Sequence, residues 1–175
     1  MMAVPALETE RLILRGHTLA DFPAFAAMRA DPVVMKFIGM GDPITEEEAW
    51  TNFRSVAGHW EFLNFGVWAL EEKASRTLIG SIGYTDKKRV STHPASGAPE
   101  MGWSLAATAH GRGFASEALG AALVWGRQFF GPVRIVCVIS DGNDASVRLA
   151  ERHGFKQFAT ARRQHLGRRV FERVL

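Results

Sequence analysis

A single cysteine, Cys137, leaves the chain without a partner for an internal disulfide, so an oxidised scaffold is excluded. The six histidines fall at no paired metal-ligand spacing, and no metal is implied. No apolar run approaches the length of a membrane span, and the opening MMAVPALETERL lacks the basic segment and apolar core of a leader. A reducing, cytoplasmic setting with no membrane partner is therefore expected. No run of Lys and Arg interleaved with aromatics occurs, so nucleic acid is not an expected partner, and an anionic small ligand accounts for the net charge of +3. Internal repeats and low-complexity tracts are absent as well. What is left is one domain over residues 1–175, with 47% hydrophobic and 22% charged residues, enough to build a core.

The most informative stretch is 99–130, PEMGWSLAATAHGRGFASEALGAALVWGRQFF. Residues 100–105 read as a short strand. His110-Gly111-Arg112-Gly113-Phe114-Ala115-Ser116 reads as a turn whose two glycines permit close backbone approach. From Ala115 onward, Ala118, Leu119, Ala122, Leu123, Phe129 and Phe130 recur at helical spacing. The first N–H groups of a helix lack internal partners and its dipole is positive at that end, so a glycine turn opening into it forms an anion site.

Gly-x-Gly before a helix is a common connection, so the same letters were tested against two other phosphate-binding patterns. The Gly-Lys-Ser/Thr ending of a P-loop is missing, and so is the Gly-x-Gly-x-x-Gly of a dinucleotide fold. That failure counts against a nucleotide-binding regulatory domain. The stretch closely resembles the acyl-CoA-binding strand, loop and helix of the GNAT superfamily of N-acetyltransferases, and most of all its ribosomal-protein (alanine) branch. That pattern runs acid, apolar, Gly, aromatic, x, Leu, then Gly-x-Gly-aromatic-Ala-Ser/Thr-Glu-Ala-Leu.

The rest of the chain reads in the same register. Residues 11–15 form a first strand, and Thr18 with Asp21 caps a helix that ends near Asp31-Pro32. Thr45 with Glu48 is a second capping box, opening a helix with Trp50, Phe53, Ala57 and Trp60 on one side, assigned to packing, and Asn64 and Gly66 at its exit. Residues 65–70 and 78–84 read as an antiparallel pair, with Gly80 and Gly83 marking a bulge, a close backbone approach or a plain packing position. A polar loop over 87–99 precedes the central strand. Residues 133–139, dense in β-branched side chains, read as a buried strand in which Cys137 is a small hydrophobe rather than a reactive thiol. Asn143 caps a helix that stops at His153-Gly154, and two strands around 155–160 and 168–175 close the chain. This order fits an α/β layered fold. The resemblance implies a mixed, mostly antiparallel central sheet with splayed central strands and helices on both faces.

Acylation of an amine requires a proton acceptor, donors for a developing oxyanion and a proton for the leaving thiolate. The resemblance implies Glu100 as the base, acting through water, and backbone N–H groups from Trp103, Ser104 and Leu105 around the oxyanion. It places His110, Gly111, Arg112, Gly113, Phe114, Ala115 and the Ser116 hydroxyl at the cofactor phosphates, with Asn143 on the same cofactor. His110 stands where many relatives carry Gln or Arg. Ala150 replaces the tyrosine that protonates the thiolate in many members, leaving Ser146, one helical turn earlier, as the candidate acid. The only tyrosine, Tyr84, falls on another strand and receives no role. The reading is an acetyl-CoA-dependent N-acetyltransferase, needing no metal, that acylates a primary amine on a small molecule or a protein N-terminus, as a monomer or homodimer. The alternative is a non-catalytic acyl-CoA-binding or sensing module.

Overall fold

The computed structural model describes residues 4–175. Among these, β1 (Leu7–Glu8) and β2 (Leu12–Arg15) lead into α1 (Phe22–Ala30), α2 (Pro32–Met35) and α3 (Glu46–Leu63). Three strands follow, β3 (Val67–Glu72), β4 (Thr77–Thr85) and β5 (Glu100–Leu105), and then α4 (Phe114–Phe130), β6 (Arg134–Ser140) and α5 (Asp144–Arg152). The chain closes with β7 (Lys156–Arg163) and β8 (Leu166–Val174).

One sheet joins all eight strands in the order β1-β2-β3-β4-β5-β6-β8-β7. Every neighbouring pair is antiparallel except β5 and β6, which run parallel and register at one position only, Glu100 opposite Val136. This is the splay expected from the sequence. Alternation along the strands sorts the side chains. Ile82, Tyr84, Met101, Leu105, Ile135, Cys137 and Ile139 belong to the large core with α4 and α5. Glu100, Val136, Val138 and Ser140 lie on the opposite face, where the 87–99 loop covers Val136 with Ala95.

Local chemistry explains the helices. The Thr45–Glu48 capping box is present in both directions, and α3 ends at Asn64 in the left-handed conformation, φ 58. The close approaches foreseen in β4 are real. A Cβ on Gly80 would lie 2.6 Å from the Ser104 carbonyl, and one on Gly83 would collide with the Gly66 carbonyl. The pairing of β3 with β4 also shifts register between Leu70 and Glu71, which supplies the bulge. Gly126 opens the face of α4 so that buried Tyr84 donates its hydroxyl to the Ala122 carbonyl at 3.0 Å. Burial raises the Tyr84 phenol pKa.

Three expectations change. β1 and α2 were not read from the sequence, being only 2 and 4 residues long and too short for a periodic signal. The helix expected from Ala115 begins one residue earlier, at Phe114. Trp50, assigned to packing, is 36% exposed on the rim of α1 and α3, with its ring 5.0 Å from that of Phe22. Ala49 takes the buried position on that turn.

His17 is the titratable weak point of this layer. Its ring meets Phe25 and Phe53 edge-on at 5.9 and 5.5 Å, and its Nδ1 is buried without a partner. Burial lowers its pKa to about 4, with Arg15 and Arg29 adding to the effect against Asp21. The unfolded chain therefore binds the proton more readily, and stability falls as pH drops from 6.5 toward 4. The loss is expected to approach about 3 kcal/mol for this group. In urea unfolding across that window, His17→Phe should be flatter with pH than the wild type.

Candidate active site

The turn between β5 and α4 holds Gly111 and Gly113 at φ 71 and 82, which side-chain-bearing residues rarely adopt. The amides of Gly113, Phe114 and Ala115 reach no protein acceptor among the described residues, while that of Ser116 folds back to the Gly113 carbonyl at 3.1 Å. The turn is held from outside by Glu117, in the first turn of α4. Its carboxylate accepts from Thr9 Oγ1 at 2.6 Å, Arg11 N at 2.8 Å and Arg11 Nε at 2.7 Å. Burial opposes its ionisation, but these donors and the nearby charge of Arg11 hold its pKa below the usual carboxylate range. Arg11 also donates to the Arg112 carbonyl at 2.9 Å, and both guanidiniums lie over the Phe114 ring. The Arg112 side chain itself is turned to Glu72 at 2.6 Å.

Beyond Glu100, β5 leaves β6. The Val136 N–H bonds the Pro99 carbonyl at 3.1 Å, and the Ala106 N–H bonds the Ile79 carbonyl of β4 at 2.8 Å. By alternation, the amides of Trp103 and Leu105 face the gap, whereas that of Ser104 faces β4. The expectation that Ser104 offers its N–H there is therefore corrected. Across the gap, the Trp103 indole donates to Ser146 Oγ at 3.2 Å. The cap of α5 is made by Asn143 Oδ1 accepting the backbone N–H of Ser146 at 3.2 Å, so the Ser146 hydroxyl is not used by the cap. Ala150 is fully buried. His110 is exposed and its Nε2 meets the Leu105 carbonyl at 3.0 Å; Ser116 Oγ meets His153 Nε2 at 2.8 Å.

The gap opens into a cavity of about 540 Å³ lined by β5, β6, residues 37–39, the loop before β5 and the β7–β8 hairpin. At its closed end Glu100 is buried, and Arg89 grips both carboxylate oxygens, Nε to Oε2 at 2.7 Å and Nη2 to Oε1 at 3.0 Å. His93 Nδ1 accepts the Ala95 N–H at 3.1 Å, which fixes Nε2 as the protonated nitrogen of the neutral ring. Burial, then the nearby Arg89 charge, lowers the His93 pKa against the pull of Glu100. Cys137 is buried, and burial raises its thiol pKa. Among the described residues, no group of three or more His, Cys, Asp or Glu is placed to hold a metal ion, and no helix is long and apolar enough to cross a membrane.

Residues 11–156, which hold the opened sheet and the glycine turn at the head of α4, match the family model described as Acetyltransferase (GNAT) domain. The chain belongs to the GNAT acetyltransferase family. It is 29% identical over 153 residues to a Bacillus subtilis (strain 168) protein named "Uncharacterized N-acetyltransferase YoaA", covering 87% of this chain and 84% of that one. A crystal structure of an acetyltransferase from Agrobacterium tumefaciens str. C58 superposes with TM-score 0.82 at 29% identity, covering 99% of this chain and 96% of that one. RimL, a ribosomal L7/L12 α-N-protein acetyltransferase solved in complex with coenzyme A, shares the fold at TM-score 0.79 and 15% identity, over 99% and 98% of the two chains. The ribosomal-protein branch that the sequence resembles is thus among its structural neighbours.

In this GNAT fold, Glu100, Trp103, Leu105, Asn143 and Ser146 come together around the gap, while Gly111, Gly113, Phe114 and Ala115 form the turn at the start of α4. Sequence reading missed Arg89 and His93, whose only signal was their place in a polar loop just before Glu100. It also missed the Thr9–Arg11–Glu117 latch, which spans over 100 residues. Because Arg89 neutralises a buried carboxylate, Arg89→Ala is expected to cost about 1–3 kcal/mol in urea unfolding. Adding Glu100→Gln should recover most of that loss, since no unpaired charge then remains buried.

Proposed function

We propose that this GNAT acetyltransferase carries an acetyl group from acetyl-CoA to a primary amine by direct attack in a ternary complex. The observation that carries the reading is the parting of β5 and β6 beside three unpartnered amides at the head of α4. Acetyl-CoA, when bound, supplies the thioester that the amine attacks. Gly113, Phe114 and Ala115 would hold its pyrophosphate through their amides, aided by the helix dipole, with Gly111 and Arg112 completing the turn. The exposed His110 and the His153-bound Ser116 hydroxyl stand beside that turn as secondary contacts, and Asn143 secures the end of α5 that faces the gap.

The Trp103 amide is placed to donate to the developing oxyanion, because no neighbouring strand accepts it. Ser146 Oγ accepts from the indole of Trp103, so its own O–H is free to donate to the leaving sulfur, and the proton that the amine gives up balances the charge of the departing thiolate. Tyr84, hydrogen-bonded to α4, serves packing. Glu100 takes the proton of the amine through water. Each of its oxygens accepts one guanidinium N–H and keeps lone-pair capacity for that water.

Gly113→Val should lower acetyl-CoA affinity by at least about tenfold in calorimetric titration, because a β-branched residue resists φ 82 and turns the amides away. The same strain is expected to lower the melting temperature, so titration is made on folded protein at reduced temperature. Unchanged affinity would remove the turn from the site. Ser146→Ala should slow kcat roughly 10- to 100-fold with acetyl-CoA affinity and melting temperature near wild type, since alanine keeps the backbone N–H that Asn143 caps. Binding of acetyl-CoA without release of CoA thiol on any amine would instead identify an acyl-CoA-binding module.

A further inference from the structure

The face of the gap away from α4 carries a charge excess that the acetyl donor does not account for. Five cationic side chains line the cavity, Lys87, Arg89, Arg162, Arg163 and Arg168, against one carboxylate, Glu100, which Arg89 already neutralises. Among the described residues, Lys87, Arg162, Arg163 and Arg168 meet no carboxylate at salt-bridge distance, whereas Arg11, Arg15, Arg112 and Arg134 are all paired elsewhere. Arg168 is opposite Ser140 in the sheet and Arg163 lies two residues beyond its partner Ala161, so both share the face of Glu100, opposite the α4 side. The phosphate-binding turn is at the head of α4, at the far end of β5 from Glu100. The pKa of Arg168 is lowered, first by burial and then by Arg163, with Asp141 pulling the other way and Arg89 adding to the lowering. Like charges gathered along a cavity, with no carboxylate at salt-bridge distance among the described residues, favour an anion from outside.

The cavity is roofed by residues 37–39, tied down by Ser140 Oγ donating to the Phe37 carbonyl at 2.7 Å and Arg168 Nη2 donating to that of Gly39 at 2.6 Å. A roof fixed at two points favours a small occupant over a polypeptide segment. Resting on the acetyltransferase reading above, we infer that the acceptor is a small amine carrying its own carboxylate or phosphate, which Arg163 and Arg168, with Arg162 and Lys87 at the mouth, hold while the amine points to the gap. Arginine forks suit either oxyanion.

The test measures CoA thiol release from acetyl-CoA with O-phosphoethanolamine and β-alanine, with ethanolamine and propylamine as neutral counterparts, and with an acidic peptide bearing a free N-terminus. At least one anionic amine should exceed its neutral counterpart by about tenfold or more in kcat/KM, and the better of the two tells phosphate from carboxylate. The exposed pair Arg162→Ser and Arg163→Ser together should cut that value about 10- to 100-fold through KM, with acetyl-CoA affinity and melting temperature unchanged. Equal or faster turnover of neutral amines or of the peptide overturns the inference while leaving acetyl transfer standing. Acetyl-CoA binding without turnover of either anionic probe, or a double variant with wild-type KM, overturns it as well. A protein that does not bind acetyl-CoA refutes the acetyltransferase reading, and this inference with it.

Discussion

Everything at the site depends on two neighbouring strands that stop bonding to each other. β5 and β6 register only at Glu100 and Val136, and beyond that pair the backbone groups of Trp103 and Leu105 have no strand to meet. In an ordinary sheet such an opening would be filled or closed. Here it is kept apart by β4, which fastens β5 along its whole length, and by β8, which fastens β6 along its own. A side-chain hydrogen bond across it, from Trp103 to Ser146, spans the opening without closing the ladder.

The charges are distributed in accordance with that opening. On the α4 side, cations near the glycine turn are matched: Arg11 by Glu117 and Arg112 by Glu72. Those pairs hold the turn in shape and leave its amides as the free donors, the arrangement in which a helix N-terminus attracts an anion. On the other side, among the described residues, Arg163 and Arg168 of the β7–β8 hairpin meet no carboxylate at salt-bridge distance, while Glu100 is neutralised by Arg89. The two faces therefore present different electrostatics to whatever enters from each.

Much of this was legible locally. The bounds of β5, the Thr45–Glu48 box and the Asn143 cap all follow from residues within a few positions of one another, where turn and cap chemistry acts. Trp50 was misread because helical spacing gives a face but not how far along that face the neighbouring layer extends. Arg89 escaped notice because a loop arginine carries no periodic signal, and only the folded loop turns it onto Glu100.

The sequence by itself determined the longer elements, the glycine turn and the family, because each is set by short-range backbone preference or by a contiguous motif. Tertiary structure alone decided which groups are free. That Ser146 keeps an uncommitted proton, that the Ser104 amide belongs to β4, that Tyr84 is locked against Ala122, and that Arg163 and Arg168 face an open cavity all depend on elements distant in the chain, β4, α4, α5 and β6. Hydrogen-bonding capacity and charge become functional only when no neighbour consumes them, and folding alone establishes those neighbours.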